Sequence, residues 1–135
     1  MQSMKVGPND VTIDGDIIFG RVHGVPTMED TRKFLEIVAE VEAKYGQILF
    51  LTDVTEGFGL SSESRRYTAE WSKQHRIVAS AFFGASTPAR AMLTLVMRAM
   101  SLLGNSQPNT RFFATEAEAR DFIDQFRVPE LRRKG

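Results

Sequence analysis

The chain has 135 residues, 42% hydrophobic and 25% charged, with seventeen basic residues against seventeen acidic ones and no cysteine. These numbers describe one ordinary globular domain, long enough to bury about two-thirds of its unfolded surface, and they argue against a generally basic nucleic-acid binder. They exclude disulfides, thiolate catalysis and Cys-based zinc sites, and the N-terminus lacks the charged-then-apolar pattern of a signal peptide, so a cytoplasmic location is expected.

In chain order, residues 1–9 read as a loose start. Val11-Thr12-Ile13 and the run from Asp16 to His23 flank Asp14-Gly15, a dipeptide that supplies positive φ at a tight hairpin turn. The second strand alternates, with Ile17, Phe19, Arg21 and His23 on one face and Ile18, Gly20 and Val22 on the other. Gly24-Val25-Pro26 ends it. Thr27 caps a helix with Glu29 and Asp30 in its first turn, where carboxylates suit the positive end of the dipole. Its apolar stripe is Phe34, Leu35, Val38, Val41 and Tyr45, and Gly46 stops it.

Residues 47–52 (QILFLT) form a continuous apolar run ending at Asp53, the pattern of a strand covered on both faces. Glu56-Gly57-Phe58-Gly59 reads as a flexible loop. Ser61-Ser62 opens a helix reaching about His75; its large apolar residues, Tyr67 and Trp71, lie one turn apart, so it should pack lightly. Residues 77–83 form a third apolar strand, leading into a helix from Ser86-Thr87-Pro88 to Gly104. That helix is apolar around most of its circumference: Met92, Leu93, Leu95, Val96, Met97, Met100, Leu102 and Leu103 are broken only by a stripe of Arg90, Thr94, Arg98 and Ser101. Covering one face of a lone domain takes an apolar arc of only about a third of the circumference. The surplus therefore calls for a second layer, a partner chain or an apolar ligand. With two arginines and too few residues, the helix should not span a bilayer.

Residues 104–109 read as a loop and 110–113 as a short last strand. Thr115-Glu116-Ala117-Glu118 is a capping box, and the helix it opens should bury Ala119, Phe122, Ile123 and Phe126. The basic tail, 127–135, is expected to fray. Strands and helices alternate after the hairpin, which predicts one α/β domain with its core at about 11–126. Its mixed sheet should hold about five strands, a hairpin and then parallel strands joined by right-handed crossovers, with about four helices.

In open α/β sheets, ligands gather beyond the carboxyl ends of the parallel strands. Asp53, Thr55, Phe58, Ser86, Thr87 and Arg90 fall there and are the candidate ligand-binding residues. Thr87 before Pro88 offers a capping hydroxyl, and free amides with Arg90 one turn along could hold a phosphate or carboxylate. A plain cap and a solvated arginine explain the same residues more simply. Asp53 could act as a base or ligand anchor, against the simpler role of capping its own loop. There is no dinucleotide fingerprint, phosphate loop or nucleophile elbow. His23 and His75 lack metal-ligand spacing, so neither metal nor cofactor is expected. Arg65, Arg66, Lys73 and Arg76 surround Tyr67 and Trp71 and form either a solvated face or a partner-binding surface.

The hairpin, the runs QILFLTDV (47–54) and IVASAFFG (77–84), the Ser-Ser helix start and the ending RFFATEAEARDFI (111–123) together resemble the STAS domains. The closer likeness is to the SpoIIAA-like group of small stand-alone proteins, over about residues 11–126. The resemblance implies a mostly non-enzymatic module. In the anti-sigma-factor antagonists a partner kinase phosphorylates a serine in an Asp-Ser-Ser-Gly motif, which falls here on Leu60-Ser61-Ser62-Glu63. Ser61, with Ser62 beside it, is the implied phosphorylation candidate. Leu60 replaces the Asp and Glu63 the Gly, and a carboxylate at Glu63 would repel a phosphate, which favours a plain cap. Lipid-binding relatives lodge an apolar ligand between helices and sheet.

The expected function is a non-catalytic regulatory or interaction module, a homodimer or the partner of another regulatory protein. Tyr67, Trp71, Met92, Leu95, Val96 and Met100 are its candidate interface. The alternative is a carrier or sensor of a small apolar or anionic ligand, with Met92, Met97, Met100 and Phe58 as pocket walls. An enzyme using Asp53, Thr55 and Arg90 is the remaining alternative.

Overall fold

Met4 and Val6 alternate with polar residues, a period-two pattern that suits a strand but is only two apolar residues long. The computed structural model describes residues 2–102 and 109–133. Its first element is β1 (Gln2–Val6), antiparallel to β2 (Asn9–Asp14). The start of the chain is therefore not loose, and the sheet has six strands among the described residues rather than about five. Val6 and Met4 pack with Val11 and Ile18, so burial holds β1 in place.

The turn into β3 (Ile17–Arg21) consists of Gly15 and Asp16, one residue later than expected, with Asp14 already paired to Ile17. Gly15 takes φ +59°. A Cβ there would also meet Leu131 and Arg127 at under 3 Å, because the tail docks on this turn. That tail is not frayed as far as it is described. Pro129–Leu131 forms a 3₁₀ turn, and Arg133 pairs with Asp121 and Asp124. Asp16, fully buried, accepts hydrogen bonds from Arg127 Nε (2.8 Å) and the Val128 amide (2.8 Å).

From β3 onward the sheet is parallel: β3, β4 (Ile48–Asp53), β5 (Ile77–Phe83) and β6 (Thr110–Phe113) lie in sequence order. β3 ends at Arg21, not His23, since the amides of His23 and Gly24 turn to the Asn9 side chain. Three crossover helices, α1 (Met28–Tyr45), α2 (Ser62–Ser72) and α3 (Thr87–Leu102), join these strands. Right-handed crossovers between strands in sequence order all land on one face. α4 (Glu116–Asp124) covers the other with Ala119 and Ile123, packed on Leu49, Leu51, Ala79 and Ala81. Thr27 with Asp30 and Thr115 with Glu118 form the capping boxes of α1 and α4. At α3 the cap is Ser86, which accepts from the Ala89 amide, and Thr87 lies inside the helix.

Strands sit about 4.8 Å apart while a helix is about 10 Å across, so three helices cannot lie side by side over four strands. α2 is the one displaced. Its Ala69 packs on Val96 and Met100 of α3, and its Ser64 hydroxyl accepts a hydrogen bond from Thr31 of α1. This second layer takes up part of the apolar surplus of α3. Leu93 meets Phe82 of the sheet, Val96 and Met100 meet α2, and Leu95 (46% exposed) and Leu102 (82%) face outward. Leu103 and the expected loop lie outside the described residues except Asn109, whose carbonyl accepts from the Ser80 amide. No helix among the described residues is long and apolar enough to cross a membrane.

Candidate functional site

Raising α2 off the sheet leaves a space beneath it. A cavity of about 180 Å³ lies between the sheet and α1, α2 and α3. Its floor is the sheet face opposite α4: Ile18 and Gly20 of β3, Phe50 and Thr52 of β4, Ser80 and Phe82 of β5. Phe34 of α1, Trp71 of α2 and Val96, Met97 and Met100 of α3 form the roof, with Phe58 and Leu60 from the β4–α2 loop. Gly20 helps to open this space. A Cβ built there would meet only Thr52 Cγ2, at 3.8 Å, so the backbone leaves room that most side chains would fill.

Two features hold the loop that supplies Phe58. Arg65 donates to the Leu60 carbonyl (2.9 Å) and to Ser62 Oγ (3.1 Å). On the far side His23 lies between two carboxylates, with Nε2 2.9 Å from Asp10 Oδ2 of β2 and Nδ1 2.7 Å from Glu56 Oε2 of the loop. Only an imidazolium donates from both nitrogens. The hydrogen bonds to Asp10 and then Glu56 raise the His23 pKa above its ordinary 6.5. His23, ahead of Lys5, lowers that of Asp10 from 3.8.

The carboxyl edge of the sheet is arranged differently. Asp53 pairs with Arg21 (2.9 Å) and accepts from the Thr55 amide (2.9 Å), so it closes its own loop. Thr55 lies against Gly84, where φ is +77° and a Cβ would meet Thr55 Oγ1 at 2.3 Å. The Arg90 guanidinium sits 4.7 Å from the Phe112 ring centroid. No hydrogen bond or ion pair among the described residues joins Arg90 to Asp53 or Thr55. No group of three or more metal-ligating side chains occurs among them.

Of the residues singled out from sequence, Phe58, Trp71, Val96, Met97 and Met100 meet at the cavity, while Asp53, Thr55, Ser86, Thr87 and Arg90 lie outside its walls. Met92 is turned toward Arg65 Nη1, 3.7 Å from its sulfur. Ser61 caps α2 by accepting from the Ser64 amide (3.1 Å), and Ser62 is exposed beside it. Tyr67 is half-buried under Arg32, and Trp71 stacks on His75 at 3.6 Å between centroids, so this pair is not an open aromatic face. His75 Nδ1 lies 2.5 Å from Glu42. Gly20, Thr52 and Ser80 were not recognised as cavity residues. A glycine within an alternating strand was the available signal.

Among curated proteins none matches the chain. A model of the SpoIIAA-like family matches residues 17–124, which takes in β3 to α4 and every helix around the cavity, and the chain belongs to that family.

Proposed function

We propose that the protein is a non-catalytic regulatory module that senses a small, mainly apolar molecule held between its sheet and helices α1, α2 and α3. The observation that carries this reading is the cavity of about 180 Å³. An apolar cavity of about 150 Å³ suffices for benzene. Met97 and Met100 in the roof are adaptable side chains that suit such a site. Members of the SpoIIAA-like family are generally non-catalytic regulators, which supports the regulatory part of this reading.

Thermal unfolding with toluene as the apolar probe tests the reading. Saturation at about 100 times the dissociation constant should raise the melting temperature by on the order of 5–10 °C. Gly20→Val should take up part of the space, stabilise the free protein by about 1 kcal/mol and weaken the toluene response. A wild-type protein indifferent to toluene, with clean apo mass in native mass spectrometry after gentle purification, would sink it.

A second reading, self-association, rests on Leu95 and Leu102, which α3 turns outward at 46% and 82% exposure. It is compatible with the first, because the inner side of the same helix walls the cavity.

A further inference from the structure

The cavity is apolar in most of its wall, but its floor is not uniformly so. Thr52 and Ser80 stand on adjacent strands, two residues out of register and so on the same face, since Ser80 pairs with Phe50 and Thr52 with Phe82. Both belong to the face that looks away from α4, and both line the cavity. Neither hydroxyl has a hydrogen-bond partner among the described residues. Every sealed side-chain nitrogen or oxygen among those residues does have one. An unbonded hydroxyl is therefore one that touches open space, and for Ser80, 3% exposed, that space is the cavity.

A hydroxyl facing an apolar space gains nothing from its walls and gains a hydrogen bond from an occupant that offers one. The charges nearby are already engaged. Asp10 is bonded to His23, Asp30 to the Thr27 amide and Arg21 to Asp53. Among the described residues of the wall, Asp10 and Arg21 have counter-charges and Asp30 sits at the positive end of α1, so no cationic side chain is left there for an anion.

We infer that Ser80 and Thr52 form a recognition point for a neutral, compact apolar molecule carrying a single hydrogen-bonding group, a hydroxyl or carbonyl, seated against the sheet. This rests on the cavity being a ligand site. It assigns the ligand's class and orientation: polar group toward β4 and β5, apolar body toward Phe34, Met97 and Met100.

The test uses toluene and phenol, nearly the same shape with a methyl exchanged for a hydroxyl, titrated by NMR into the full chain. The measured quantity is the ratio of phenol affinity to toluene affinity. In the Ser80→Ala/Thr52→Val variant that ratio should fall about tenfold or more, with toluene binding kept or improved. Should the double variant not fold, the single variants carry the test, each lowering the ratio by about threefold to fivefold. An unchanged ratio with both probes bound overturns the recognition point while leaving the cavity as a ligand site. Failure of both probes to bind the wild-type protein overturns the ligand site and this inference together.

Discussion

Asp16 is the residue whose surroundings are most demanding. A buried carboxylate is tolerated when its charge and lone pairs are met. Here the Arg127 guanidinium and the Val128 amide meet them from 111 and 112 residues further along. Asp16→Ala should cost about 3 kcal/mol in urea unfolding, because Arg127 is then left largely buried with only Asp14, 4.0 Å away, to meet its charge. In that background Arg127→Ala should cost little more, which a double-mutant cycle measures. Nothing near Asp16 in the chain announced this role. An aspartate beside a glycine reads as a turn residue whatever it pairs with, and periodicity does not extend over such a separation. Gly20 is the converse case. Its missing side chain was visible in the alternation of β3, but the room it leaves depends on how three helices share one sheet face.

At the scale of elements, helix ends were the most legible feature. The Thr27/Asp30 and Thr115/Glu118 boxes and the Gly46 stop are made within a few residues, so local composition determines them. β1 was missed because only Met4 and Val6 of its five residues carry the apolar pattern. The position of α2 was missed because it follows from crowding between neighbours, not from its own residues. The loop from Val54 to Ser61 has a pH dependence of its own. The His23 pKa is raised from 6.5, so the stabilisation from its contacts is complete below 6.5 and is lost as pH rises through the raised value. The Asp10 pKa is lowered from 3.8, so its contribution is present above 3.8 and is lost as pH falls through the lowered value. Between the two losses the loop is held best. Amide protection factors across residues 55–60 should decline on the alkaline side of the His23 transition. In His23→Gln they should be low and flat over the same range. An unaltered profile in that variant would show that Glu56 and Asp10 do not hold the loop through His23.

For the whole molecule, Leu95 and Leu102 make the outer side of α3 an exposed apolar surface. If copies of the chain cover it, light scattering at micromolar concentration should report a dimer. Leu95→Glu, which places a charge in the contact, should yield a monomer that still binds toluene, since Leu95 does not line the cavity. A wild-type monomer would leave the exposed leucines to another partner. The order of the strands has a separate consequence. Each strand hydrogen-bonds to the next in sequence from β1 to β6, so no sheet pairing requires distant stretches of chain to meet first. Such a topology can grow stepwise, in the direction of synthesis, with modest loop-closure entropy at each addition. The tie between Asp16 and Arg127 does not belong to that progression. It joins the turn between β2 and β3 to the segment that follows α4, so it can close only after α4 is laid down. Asp16→Ala should therefore leave the refolding rate nearly unchanged and appear as faster unfolding, which makes this ion pair a fastener of the finished fold and no part of its nucleus.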